Sequence, residues 1–313
     1  MAAADPRALR SIRAELHCHN VFSNFNVGPL EAPYDCGVTV REQLDGALSA
    51  GLDAIFVTNH NTLDGYAQAR EYARTHERHA RIAVYPAEEV TLDDGSHVVA
   101  YGISERVRPG MGLGETLDAI RAQGGVSSAP HPFSILDALR ERAAECDIIE
   151  VFNSNNADII SNACAAAFAA ERSMVGVAGS DSHVASTVGR CVNAIDAEDS
   201  LDSVLDALRH GRVSICEAGY ATGREAIGHV RYKIENSGDY IDDYMARFYP
   251  MSRHALALLL RAFRSHPDSR LWMLLYRLAV AGKRRISRKI NLEGHDASPM
   301  AARTLGGMAR MAI

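Results

Sequence analysis

The first 217 residues alternate short apolar, often β-branched runs with longer segments in which apolar positions recur at helical spacing. This alternation is typical of repeated βα units around a parallel sheet. It predicts nine strands, at residues 12–17, 54–58, 82–85, 98–101, 126–129, 148–152, 175–178, 191–195 and 213–216. It predicts helices from a cap at Thr39 to Gly51 and at residues 63–79, 115–123, 157–171 and 200–210.

One pair of neighbouring strands has a different connection. Asp94-Gly95 lies between two apolar arms, and this dipeptide is a strong tight-turn signal. We therefore expect a β-hairpin inserted in the βα series.

The pattern of hydrophobic and polar residues changes near residue 243, and the balance of basic and acidic residues changes at the same place. Residues 1–243 carry 20 Lys and Arg against 36 Asp and Glu, whereas residues 244–290 carry 11 against 1. The basic part contains two amphipathic helical patterns, at 254–264 and 271–289, separated by the sequence SHPDS. We predict a domain at 1–243 and a basic helical C-terminal extension at 244–313.

Composition narrows the class of protein. The chain has 313 residues with 47% hydrophobic content, enough for a barrel-sized core. Its six cysteines form no Cys-x-x-Cys pair, which argues against a disulfide framework or a thiolate zinc site. The first residues lack the apolar run of an export signal, and no stretch has the length of a spanning helix, so we expect a cytoplasmic protein.

Histidines and carboxylates follow the predicted strands. His17 and His19 share one face at the end of the first strand, where two imidazoles can hold one ion. Similar residues end or follow later strands: Asn59, His60, Glu88, Glu89, His97, His131, Asn153, Asp181 and His183. In parallel α/β barrels the strand C-termini converge on one face, so these groups would meet at one mouth. Bound cations best explain such a cluster. The other seven histidines, His229 among them, are expected to be surface or core residues.

Six ordered motifs between residues 12 and 217 carry a family resemblance. They are ELHCHNVFSN, GLDAIFVTNHNTLDG, PAEEVTLDDGSHVVAYG, GGVSSAPHP, IEVFN and GSDSHVASTVGR. Together they resemble the polymerase and histidinol phosphatase (PHP) family. The resemblance implies a distorted TIM-like (βα)7 barrel that holds two or three divalent ions, zinc, manganese or iron, and hydrolyses phosphoesters.

The resemblance also implies ligands, residue by residue. His17, His19, Glu89 and Asp181 would hold one metal. Glu89 would bridge to a second metal, which His97 and His131 complete. His60 and His183 would hold a third metal, together with Asn24.

Three positions depart from the family, which usually has Asp where this chain has Glu15, Asn24 and Asn59. A neutral amide such as that of Asn24 is a poorer metal ligand than a carboxylate. Asn59 would not bind a metal itself but would contact the residues that do. Asn24 and Asn59 both fall around the third site. We interpret them as an adjusted site and expect the Asn59→Asp change to lower activity.

The predicted reaction is hydrolysis of a phosphomonoester or phosphodiester, on a phosphorylated small molecule or nucleotide. Glu89, Asp181 and His131 are the catalytic candidates, and Arg190, Arg224 and Asn153 are the candidates for substrate binding. Two alternatives stay open. One is a metal-binding PHP module with lost or regulatory activity, and the other is a nuclease whose basic tail holds nucleic acid.

The basic tail has its own alternatives. Its two helices would pack on the acidic barrel or on a second subunit. A membrane-surface helix with Trp272 and a Lys/Arg cluster at 283–289 is the second interpretation. Nucleic acid is an unlikely partner, because the tail lacks aromatic-glycine RNA-binding signatures.

Overall fold

The computed structural model describes residues 9–27, 33–301 and 311. Its strands are β1 Arg10–Cys18, β2 Ala54–Val57, β3 Ala83–Thr91, β4 His97–Tyr101, β5 Val126–Ala129, β6 Ile148–Asn153, β7 Val175–Gly179, β8 Val192–Ala197 and β9 Val213–Glu217. Its helices are α1 Val40–Ser49, α2 Tyr66–Thr75, α3 Leu113–Ala122, α4 Ile160–Arg172, α5 Leu201–Arg209, α6 Gly223–Asn236, α7 Gly238–Phe248, α8 Arg253–Ser265, α9 Arg270–Asn291 and α10 Ser298–Ala301. Each predicted strand and helix has a counterpart among these elements.

The strands form a nearly closed, barrel-shaped sheet. Their order is β7-β6-β5-β4-β3-β2-β1-β8-β9. The barrel closes where the chain beyond β7 returns to β1, because the Asp181 N–H donates to the His17 carbonyl at 2.8 Å. The predicted distorted (βα)7 barrel is confirmed.

The sheet contains more antiparallel pairs than the pattern predicted. The predicted hairpin accounts for β3 and β4, which pair antiparallel around Gly95 at φ 83°. β8 also runs antiparallel to β1, and β9 antiparallel to β8. Only a three-residue 3-10 turn, Ala185–Thr187, lies between β7 and β8. A crossover to a parallel strand usually contains an α-helix, and the 12-residue connection 180–191 contains none, which is consistent with β8 turning back along β1.

Apolar residues fill the interior of the barrel. One buried cluster joins Ile12 and Leu16 of β1 with Phe56 of β2, Tyr101 of β4 and Ile148 of β6. Strands that are not neighbours in the sheet share this cluster, so it spans the interior. The packed core supports the strand ends that carry the polar groups.

The first helix begins where the sequence predicted. The Thr39 hydroxyl accepts from the Glu42 N–H, and the Glu42 carboxylate accepts from the Thr39 N–H. This capping box satisfies two backbone donors that the helix itself leaves unpaired. It therefore holds the start of α1 next to the loop at residues 33–39.

Helix α9 of the C-terminal extension packs on the barrel. Ile286 and Ile290 of α9 are buried against Ile135, which follows β5. The predicted boundary at residue 243 lies inside α7, whereas the last strand ends at Glu217. The position at which the charge changes is therefore not the position at which sheet gives way to helices. Among the described residues, no helix combines the length and apolar character needed to cross a bilayer.

Candidate metal centre

Four donor atoms meet at the end of β1. The Nε2 atoms of His17 and His19 lie 3.1 Å apart. Glu89 Oε2 lies 3.3 and 3.2 Å from them, and Asp181 Oδ1 lies 3.6 and 3.4 Å from them. A tetrahedron with corners about 2.1 Å from its centre has edges of about 3.4 Å, which suits zinc-like ions with nitrogen and oxygen donors. The four atoms therefore have the spacing of a single cation site.

The other oxygen of Glu89 belongs to a second group of donors. Glu89 Oε1 lies 3.0 Å from His97 Nδ1 and 3.1 Å from His131 Nε2. β3 ends beside β4, and the hairpin pairs Thr91 with His97. One carboxylate thus faces two donor groups, while Glu88 points away and accepts from the Val107 N–H at 2.8 Å.

A third group gathers around Asp35. Asp35 Oδ2 lies 2.8 Å from His183 Nε2 and 3.5 Å from His60 Nε2. Asp35 Oδ2 and His60 Nδ1 are buried without a hydrogen-bond partner among the described residues. A buried oxygen that faces two imidazoles without a hydrogen bond suits a cation between them.

Asn24 does not lie in this third group, contrary to the prediction. Its Oδ1 accepts from the backbone N–H groups of Asp35 and Cys36 at 2.7 and 2.9 Å. Its Nδ2 donates to the Cys36 carbonyl and to the Tyr232 hydroxyl. Asn24 therefore positions the loop, and Asp35 supplies the carboxylate that the family pattern expected at residue 24.

Helix α6 reaches the same group, which the sequence analysis did not foresee. Lys233 Nζ lies 2.7 Å from Asp35 Oδ1, and His229 Nε2 lies 2.7 Å from the Asp35 carbonyl oxygen. Burial would raise the pKa of Asp35, but His183 and Lys233 hold it well below its usual value. His229 was expected to be an ordinary surface or core histidine, because the sequence places it on a helix without strand-end context.

The charges at the first group suit a cation. Burial alone would raise the pKa of Glu89, but His60 and His17 hold it well below its usual value. Asp181 behaves in the same way, because His17 and His19 outweigh its burial. Burial lowers the pKa of His19, which favours the neutral imidazole that metals bind. The carboxylates are therefore ionised beside the His19 imidazole. Burial would lower the pKa of His17, but Glu150, Glu89 and Asp181 raise it well above its usual value.

Glu150 supports two of these histidines from β6. Its Oε1 lies 2.7 Å from His17 Nδ1, and its Oε2 accepts from the His131 N–H at 2.9 Å. A Cβ at Gly179 would overlap Glu150 Oε1, so the glycine makes room for this contact. A carboxylate behind a coordinating histidine fixes its tautomer and ring orientation.

Two candidate ligands lie in strained backbone. His131 has φ 32° and Asp181 has φ 50°, in the left-handed region that favours glycine. Such conformations cluster at functional sites because the surrounding structure must hold them. Holding these two side chains in their observed directions therefore lowers the conformational stability of the chain.

A cavity of about 210 Å³ opens beside the three groups. Asn153 lines it, but its Nδ2 donates to Glu150 Oε2 at 2.9 Å and to Asp181 Oδ2 at 3.3 Å. Asn153 is therefore placed to orient Asp181.

The two predicted substrate arginines lie away from this cavity. Arg190 pairs with Glu225 at 2.5 Å and also donates to the Tyr220 carbonyl. Arg224 is exposed at the start of α6. Neither belongs to the described lining of the cavity, because Arg190 is held by α6 and its preceding loop and Arg224 faces solvent. Lys283 of α9, which the sequence analysis did not single out, lines the cavity instead.

Asn59 allows a test of one of the positions at which this chain differs from the family, which usually has Asp there. Its Oδ1 accepts from the Asn20 N–H at 2.9 Å, and its Nδ2 donates to the Asp64 carbonyl at 2.8 Å. Asn59→Asp should lower the free energy of unfolding by about 1–3 kcal/mol, because a carboxylate would face that carbonyl without a proton to donate. Chemical denaturation measures this, with the exposed Asn236→Asp as control. An unchanged free energy of unfolding would contradict this prediction. Higher activity together with an additional bound ion would contradict the interpretation of an adjusted site.

A family model described as PHP-associated matches residues 160–213. An uncharacterized protein of Methanocaldococcus jannaschii is 30% identical over 155 residues, which cover 48% of this chain and 87% of that protein.

Two solved structures share the fold. A two-domain protein from Bacteroides vulgatus, described as containing a predicted PHP-like metal-dependent phosphoesterase, aligns with a TM-score of 0.53 and 17% identity, over 72% of this chain and 70% of that chain. PsfC from Pseudomonas syringae aligns with a TM-score of 0.51 and 20% identity, over 72% of this chain and 99% of that chain. The order of the motifs along a distorted barrel and the PHP-associated match at residues 160–213, which contains the last motif, support assignment of the chain to the PHP family.

Proposed function

We propose that the protein is a metal-dependent phosphoesterase that hydrolyses phosphorylated small molecules or nucleotides. The observation that carries the proposal is the position of Glu89, whose two carboxylate oxygens face two separate groups of donors. A shared carboxylate between two such groups is the arrangement expected for a pair of bridged divalent ions.

The residues divide between the ions as follows. His17, His19, Asp181 and Glu89 Oε2 would hold one ion, and His97, His131 and Glu89 Oε1 would hold a second. His60, His183 and Asp35 would hold a third. Mixed imidazole and carboxylate donors suit zinc, manganese and iron. When bound, such ions lower the pKa of water and neutralise charge on a phosphoryl group.

Contacts within the chain orient the proposed metal ligands. Glu89 holds both groups at a fixed separation, and Glu150 fixes the ring of His17. Asn153 donates to Asp181 Oδ2, which leaves Asp181 Oδ1 directed at His17 and His19. The cavity of about 210 Å³ is large enough for a phosphoryl group beside these donors.

The test uses protein purified without chelator. Elemental analysis should give at least two divalent ions per chain, and phosphomonoesters, phosphodiesters and a short oligonucleotide should be assayed side by side. We expect hydrolysis of at least one class, which chelator abolishes and added manganese or zinc restores. Asp181→Asn, prepared identically, should be inactive and controls for contaminating phosphatases.

Two results would contradict the proposal. Less than one ion per chain would remove its basis. Protein with two or more ions that hydrolyses none of the three classes would favour the metal-binding module without catalysis.

A further inference from the structure

The cavity beside the metal centre is rich in acidic groups and poor in fixed positive charge. Asp35, Glu89, Asp137 and Asp181 all line it. Among the described lining residues, Lys283 is the one lysine or arginine. A phosphoryl group brings up to two negative charges into this cavity, so the position of that lysine matters.

Helix α9 is attached to the loops that carry the candidate ligands. Asn291 Nδ2 donates to the Phe133 carbonyl at 2.9 Å, two residues beyond His131. The Ser287 hydroxyl donates to Asp158 Oδ1 at 3.0 Å, in the segment that follows β6. These contacts hold Lys283, one helical turn before Ser287, at the edge of the cavity.

The ion pair of Lys283 leaves its ammonium available. Lys283 Nζ lies 3.6 Å from Asp158 Oδ2, which is longer than a hydrogen bond. Asp158 is fully buried, and it already accepts from the Ser161 N–H at 2.8 Å and from the hydroxyls of Ser161 and Ser287. Lys283 keeps 31% of its side chain exposed. Its three N–H donors can therefore turn towards an anion without leaving Asp158 unsatisfied.

We propose that Lys283 forms a subsite that binds the nonbridging oxygens of the substrate's phosphoryl group, a proposal that rests on the proposed phosphoesterase function. The C-terminal extension then supplies substrate binding to a site whose metal donors come mostly from the barrel. Arg190 cannot bind the phosphoryl group in this way, because Glu225 and the Tyr220 carbonyl hold its guanidinium.

The experiment measures inorganic phosphate binding to the metal-loaded protein by calorimetry, and its competitive inhibition of phosphoester hydrolysis. Lys283→Gln should weaken phosphate binding about ten- to 100-fold, the loss expected for a charged hydrogen bond. KM should rise in parallel, kcat should change less, and metal content should stay the same. Lys283→Arg should recover part of the affinity.

Two control variants distinguish a direct loss of phosphate binding from an effect on the structure. Asp158→Asn breaks the same ion pair but keeps the ammonium, so its phosphate affinity should equal or exceed that of the wild type. Arg288→Gln removes a positive charge from the exposed face of α9 and should change nothing. If Lys283→Gln unfolds, the comparison of Lys283→Arg with Asp158→Asn still decides, because only the first should weaken phosphate binding.

Three results of the phosphate-binding experiment overturn the proposal. They are equal phosphate affinity in Lys283→Gln and the wild type, equal losses in Lys283→Gln and Asp158→Asn, and a metal-loaded wild type that does not bind phosphate. Hydrolysis by the wild type with unchanged Lys283→Gln kinetics refutes this subsite alone. Phosphate binding without hydrolysis of any substrate class refutes the phosphoesterase function instead.

Discussion

Glu89→Gln should release metal from both groups of donors and lower kcat/KM roughly 1000-fold, equivalent to about 4 kcal/mol of transition-state stabilisation. The variant keeps the shape of the side chain but loses its negative charge. Two cations that share a carboxylate would then repel each other without compensation. One amide end would also direct N–H groups at the histidines that now face Glu89 oxygens. Elemental analysis and steady-state kinetics of the purified variant measure both effects.

Glu88→Gln is the matched control for this experiment. Glu88 is also buried, but it accepts from the Val107 N–H and lies 3.8 Å from Arg106. Burial raises the pKa of Glu88 to about 7, so glutamine replaces a group whose neutral form is already accessible. We expect less than tenfold change in activity and unchanged metal content. Greater damage from Glu88→Gln than from Glu89→Gln would show that the assignment of the bridging carboxylate is wrong.

Glu150→Gln should weaken metal binding about 10- to 100-fold, although Glu150 is not a proposed ligand. Its carboxylate faces His17 Nδ1 and the His131 N–H at once, and a glutamine can accept through only one of its two ends. Titration with a competing chelator measures the affinity. The thermal midpoint should fall by more in excess metal than in its absence, because bound ions stabilise the folded state and the variant binds them more weakly.

Glu217→Gln is the control for Glu150→Gln. Glu217 pairs with Arg13 at the surface, away from the donor groups, so its loss should leave the metal affinity unchanged. Equal affinities in Glu150→Gln and the wild type would mean that the neighbouring packing alone orients His17.

Local signals made much of the fold predictable. The Thr39 capping box and the Asp94-Gly95 turn act over three or four residues, so the sequence contains both partners close together. The candidate ligands at strand ends follow from a general property of parallel barrels, which places strand C-termini on one face. The antiparallel direction of β8 was missed because the connection from β7 carries no helical pattern from which its course could be predicted.

The residues that the sequence analysis missed depend on distant contacts. Asp35 lies in a loop between elements, and Asn24 and Lys233 place it against His183. Lys283 is one of several basic residues in α9, and only the packing of that helix selects it. Glu150 did leave a signal, because a carboxylate inside the apolar run 148–152 must have a buried partner.

The attachment of α9 to the loops after β5 and β6 has a consequence for the order of events during synthesis. The last strand ends at Glu217, and Lys283 is made roughly 66 residues later, about 3 to 13 seconds at ordinary rates of translation. Domains generally begin to fold on the ribosome from the N-terminal side. The segments that carry His17, Glu89 and Asp181 can thus come together while the helix that borders the cavity is still being translated. Assembly of the candidate donor groups can therefore precede completion of the cavity.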